Sequence, residues 1–117
     1  MLGPSACINW EELRSNCGED EELMRELIHI FLEESPQMLE DIRKSWRAQN
    51  PTALKQTAHR LKGSLVSLAA KPAAQYANIL EQMGHEAQLE SADGAMAELD
   101  RRMSALHAEL RQWGLHS

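Results

Sequence analysis

A chain of 117 residues can bury one hydrophobic core but not two, and 12 basic against 18 acidic residues leave it with a net charge of −6. That charge argues against nucleic acid and against an anionic membrane surface, since no basic stripe is present to meet phosphate groups. With 43% apolar residues but only 4% aromatic, and Leu, Ala, Met, Glu, Gln and Arg dominant, there is little from which to build a sheet, and the expected class is all-α.

Residues 1–7 contain Gly3, Pro4 and Ser5 and read as a flexible lead-in before a domain over 8–117. Asn9 is a good N-cap with Glu12 at the third position, which predicts a short helix ending by Cys17-Gly18. Its apolar content is Ile8, Trp10 and Leu13. It serves either as a lid over one end of a bundle or as part of a docking surface. Cys7 and Cys17 have no metal-ligand spacing and nothing supports a disulfide between them, as expected of thiols in a reducing compartment.

Asp20 caps the next helix, with Glu21 and Glu22 placed where the helix dipole favours them. Leu23, Leu27, Ile30 and Phe31 are expected to face inward, followed by Met38, Ile42 and Trp46. Pro36 predicts a kink near Glu33 to Pro36 in one long helix reaching about Gln49, with two separate helices as the alternative. Asn50-Pro51 opens a third helix, in which Leu54, Ala58, Leu61, Leu65 and Leu68 step by four and three and form one apolar stripe. Lys71-Pro72 breaks that helix. Ala73, Tyr76, Ala77, Leu80 and Met83 predict the inner face of a fourth, which Gly84 ends. Ala92, Met96, Leu99, Met103, Leu106, Leu110 and Trp113 give the clearest periodicity, the seam of an antiparallel bundle helix. The whole reads as an antiparallel four-helix bundle with a short additional N-terminal helix.

The third helix carries the chemistry. At about 100° per residue, His59 lies roughly 140° from the middle of the apolar stripe and faces outward. Lys62 and Gly63 share its face one turn on. A glycine inside a helix costs about 1 kcal/mol relative to alanine, so its presence implies that something must approach that face closely.

His59, Leu61, Lys62, Gly63, Ser64, Leu68 and Ala70 resemble the signature of the histidine-containing phosphotransfer (HPt) domain of bacterial phosphorelays. Leu65 stands where the family pattern has a second serine, and Ala69 where it has a second glycine. The resemblance extends upstream through Ile8-Asn9-Trp10, Gly18 to Leu23 and Phe31 to Pro36, covering nearly the whole chain. It implies that His59 accepts a phosphoryl group from a receiver-domain aspartate and passes it to another receiver or back. Lys62 would offset the phosphoryl charge, and Gly63 would make room for the receiver. The resemblance also points to a residue on the adjacent helix that holds the unreactive ring nitrogen, Glu81 or, one position along, Gln82.

The partners implied are the receiver domains of a hybrid sensor kinase and of a response regulator, with Mg²⁺ expected in the receiver and no cofactor or metal in this chain. The chain would be a carrier rather than an enzyme, monomeric and cytoplasmic, either free or the terminal domain of a hybrid kinase. Rival readings weigh less. Glu26 and His29 fit half of a di-iron motif, but no second copy exists. A kinase dimerisation domain would follow its histidine with an acidic residue, where Arg60 and Leu61 stand here. A non-catalytic adaptor bundle is the remaining alternative.

Overall fold

A computed structural model of the chain describes residues 6–115, apart from the side chain of Leu115. Most of the expected lead-in, residues 1–5, and also His116 lie outside the described residues. Five helices form: α1 (Trp10–Asn16), α2 (Glu21–Arg47), α3 (Pro51–Ser67), α4 (Lys71–Glu86) and α5 (Ala92–Leu115). There is no strand among the described residues, and none of their helices is long and apolar enough to cross a membrane.

Three helices start where their caps predict. Asn9 accepts from the Glu12 N–H at 3.0 Å, Asp20 from Leu23 at 3.1 Å and Asn50 from Ala53 at 3.1 Å, each satisfying a donor the helix leaves open. Helices α2 to α5 then close into an antiparallel ring, each packed on both neighbours. The α3 and α5 stripes are buried throughout, from Leu54 to Leu68 and from Ala92 to Trp113.

On α2 the buried face is rotated from the expected one. Met24, Ile28, Phe31, Ser35, Ile42 and Ser45 are buried, whereas Leu23 and Ile30 are exposed and Leu27 only half-buried. The inward stripe steps through 24, 28, 31 and 35 by four, three and four, which puts residues 23 and 30 one position off it. Two serines on that stripe hide it from a hydrophobicity reading. Ser35 is buried because it meets His107 of α5 at 2.7 Å, and the Ser45 hydroxyl donates to the Asp41 carbonyl at 2.9 Å. The helix runs unbroken through Pro36, so the two-helix alternative does not form.

Two further boundaries differ from expectation. Lys71-Pro72 opens α4 rather than merely breaking α3: α3 ends at Ser67, and Ala69 turns the chain with φ +58. That is the left-handed region glycine prefers, so alanine at the position of the family's second glycine carries backbone strain. Gly84 does not end α4, which continues to Glu86 with Ala87 (φ +55) as its left-handed cap. Gly84 is instead a contact residue. A Cβ built on it would lie 2.6 Å from the Lys55 nitrogen and 2.7 Å from the Pro51 carbonyl oxygen. Helices α3 and α4 are therefore pressed together backbone to side-chain-free backbone, while Tyr76 and Met83, expected inside, are only half-buried.

Helix α1 closes one end of the bundle. The Trp10 ring stacks on Trp113 at 5.6 Å, its Nε1 donates to Glu109 at 2.7 Å, and the Asn9 N–H bonds to the Ala69 carbonyl at 3.0 Å. Ile8 is buried and Cys7 half-buried against the same core, so the packed region begins inside the expected lead-in. Of the two readings of this helix, the packing is that of a lid. Neither cysteine forms a disulfide.

Candidate functional site

The outer seam between α3 and α4 brings together four of the five residues expected there. His59 projects outward with 68% of its side chain exposed. Its Nδ1 lies 3.1 Å from Glu81 Oε2. Lys62 Nζ lies 2.8 Å from the other carboxylate oxygen, Oε1. Gly63 faces open space, with nothing within 4 Å of a Cβ added to it. Gln82 is exposed on α4, one residue round the helix, and makes no hydrogen bond to the ring among the described residues.

The physical cause of this convergence is the Gly84 contact. Lys55 is one turn before His59 on α3, and Gly84 lies three residues past Glu81 on α4. With the backbones touching there, the next turn of α4 sets Glu81 directly beneath His59 and Lys62. Glu81 is only 12% exposed and Lys62 26%, so the ion pair sits in the crevice while the imidazole stands above it.

The electrostatics follow from that placement. Burial pushes the Glu81 carboxyl up, but hydrogen bonds from Lys62 and His59, together with their charges, outweigh it and hold the group below the usual carboxylate range. Glu81 is therefore ionised at neutral pH and can only accept. It follows that the 3.1 Å contact is donated by the Nδ1–H of His59. In the neutral ring that leaves the Nε2 lone pair pointing to solvent. An exposed imidazole with a fixed tautomer, a cation one turn away and a cleared approach is chemically a nucleophile for an electrophile delivered from outside.

The other described histidines lack this combination. His29 Nε2 meets Glu33 at 2.7 Å, but both side chains are about two-thirds exposed and no lysine accompanies them. Glu26, its partner in the rejected metal reading, is exposed on the same helix. His85 is exposed with no charged partner among the described residues. His107 is half-buried against Ser35 and edge-on to Phe31, and desolvation, then the charge of Arg111, lowers its pKa.

One contributor to the site escaped the sequence reading. Asn78 Oδ1 accepts from Lys62 Nζ at 3.3 Å. It lies three residues before Glu81, on the same face of α4, and that spacing was the available signal.

The comparisons with known proteins agree with this fold. The family model described as the Hpt domain matches residues 26–112, from within α2 to near the end of α5. Among curated proteins no sequence relative matches. The chain superimposes on histidine-containing phosphotransfer protein B (HptB) from Pseudomonas aeruginosa PAO1 with a TM-score of 0.90 at 21% identity, covering 97% of this chain and 99% of that one. It also superimposes on the HPT domain of a sensor hybrid histidine kinase from Shewanella with a TM-score of 0.83 at 15% identity, covering 94% and 95%. These two likenesses establish the helical bundle; the match over three-quarters of the sequence establishes more, and the chain belongs to the Hpt domain family, the phosphotransfer carriers of two-component relays.

Proposed function

We propose that His59 of this carrier accepts a phosphoryl group from the aspartyl phosphate of a receiver domain and passes it to a second receiver, or back. The observation that carries the reading is the Glu81 carboxylate on Nδ1 of a histidine that is 68% exposed and faces open space over Gly63. In the transfer, the Nε2 lone pair forms the N–P bond while the P–O bond to the aspartate breaks, and the carboxylate leaves with its electron pair. The Nδ1 proton stays between ring and Glu81, whose negative charge stabilises the cationic ring that forms. Lys62 offsets charge on the phosphoryl oxygens. Positioning and charge stabilisation supply most of the rate in such transfers. Mg²⁺ and the acidic pocket belong to the receiver, and this chain contributes no nucleotide site or metal of its own.

The surroundings suit a docking partner. Val66, one turn beyond Gly63 on the same face, is an exposed apolar residue, and Ile30, Ser64 and Ser67 line a groove between α2 and α3. A receiver seated there would bring its aspartate over His59. The reading takes the domain to work in the cytoplasm as a monomer.

The test is phosphotransfer from a phosphorylated receiver. One acid-labile, alkali-stable phosphate is expected on the wild type and none on His59→Gln at unchanged helical circular dichroism; label that persists in the variant overturns the assignment. Lys62→Ala should slow transfer by about tenfold, or about 1.4 kcal/mol. Gly63→Gln should fold, lose transfer from receivers, and still accept phosphate from phosphoramidate if the wild type does. A folded wild type that no receiver labels would leave the adaptor reading in possession.

A further inference from the structure

Lys62 faces a conflict. Its ammonium is the cation expected to meet the phosphoryl group, yet it is already paired at 2.8 Å with Glu81, the carboxylate that holds His59. Around the ring the Glu81 carboxylate and the Lys62 ammonium already cancel. When a phosphoryl group bearing roughly −1.5 to −2 charges arrives on Nε2, Lys62 must turn part of its interaction from one anion to the other. A flexible four-carbon side chain held by Glu81 alone would, once let go, be drawn into solvent, where it is strongly hydrated.

The geometry points to Asn78 as the residue that holds Lys62 in place through this exchange, a positioning residue for the transfer proposed above, on which the inference rests. Its Oδ1 lies 3.3 Å from Lys62 Nζ, from the same face of α4 as Glu81 and one turn nearer the N-terminus. An ammonium has three N–H donors. Asn78 accepts one, and Glu81 holds the ammonium as an ion pair at 2.8 Å, which leaves donor capacity for an incoming phosphoryl oxygen. The choice of amide matters. Asn78 fixes the direction of the ammonium without neutralising it, whereas a second carboxylate at this position would cancel the charge the phosphoryl group needs and repel the group itself.

Asn78 is exposed, so it could instead touch the receiver directly. The two roles separate in a double-mutant cycle. Asn78→Ala should slow labelling of His59 by roughly fivefold, the scale of one ordinary intramolecular hydrogen bond and less than the loss expected for removing Lys62 itself. The loss should fall on the rate at saturating receiver, with the half-saturating receiver concentration unchanged, and labelling by phosphoramidate should slow to the same degree. Asn78→Asp should be slower still. In a Lys62→Ala background, Asn78→Ala should have no further effect. A single variant as fast as wild type overturns the inference, as does an effect that persists without Lys62 or appears only in the half-saturating concentration. These outcomes count when the wild type labels and His59→Gln does not; if the wild type itself takes no phosphate, the transfer reading has failed and Asn78 loses its role with it.

Discussion

Two seams of this bundle each hold a histidine, and they treat it in opposite ways. Between α3 and α4, His59 stands over a buried carboxylate that orients it and keeps its far nitrogen in solvent. Between α2 and α5, His107 points its Nε2 at the buried Ser35 hydroxyl, 2.7 Å away, and desolvation with the Arg111 charge disfavours its protonation. One seam exposes a ring and shelters its anion; the other half-buries the ring against a buried hydroxyl. A histidine becomes available for chemistry when its partner, rather than the ring, takes the burial.

The largest test of that contrast is to force the first seam open. Gly84→Ala places a methyl group within 2.6–2.7 Å of the α3 backbone, which cannot move aside as a side chain can. A loss of about 2–3 kcal/mol in denaturant unfolding is expected, the upper range for overpacking, together with slower phosphotransfer as Glu81 draws away from His59. Unchanged stability would mean the helices are not pinned there. Next in size, Ser35→Ala leaves His107 Nε2 without its partner in the second seam and should cost about 1–2 kcal/mol, with phosphotransfer untouched. A change in transfer rate would show that the two seams communicate.

A smaller effect lies at a helix end outside both seams. Ala87 is exposed with φ +55, so Ala87→Gly should raise stability by about 0.5–1 kcal/mol through relief of left-handed strain. Lower stability would mean that Ala87 makes contacts worth more than its strain.

The gentlest test is pH. His107 lies below its ordinary value of 6.5, so the unfolded chain takes up the proton first. Its contribution is fully present above about pH 6.5 and lost as pH falls through the lowered value. Glu81 lies below its ordinary 4.5, so its contribution is present above 4.5 and lost only under more acid conditions. His107→Asn should flatten the upper part of the stability profile, and Glu81→Gln the lower part alone. An unflattened upper part would show that another group carries it.

How much of this was legible depended on what lay between the apolar residues. On α3 and α5 every inward position is apolar, so stepping by four and three gave the buried faces correctly. On α2 the inward row contains two serines, Ser35 paired with His107 of α5 and Ser45 bonded one turn back to the Asp41 carbonyl, and the apolar weight pointed instead to Leu23 and Ile30. Gly84 read as a helix terminator because a glycine's use as a contact point is invisible until the opposing backbone is known. The same contact sets how α4 is turned against α3, which is why spacing left Glu81 and Gln82 undecided. The bundle and the family were readable from local pattern; the partner of the histidine was a matter of helix rotation.

The lid has a consequence for anyone attaching something to this domain. Trp10 stacks on Trp113, and the neighbouring Asn9 bonds to Ala69 at the α3–α4 turn, so the first and last packed residues sit at one pole. His59 lies ten residues back from Ala69 along α3, about 15 Å away. A polypeptide, fluorophore or resin linker joined beside Trp10 or Trp113 would start from that pole rather than from the flank of the imidazole. Tethering, labelling or immobilisation at that pole should leave the reactive flank of α3 open to an arriving partner.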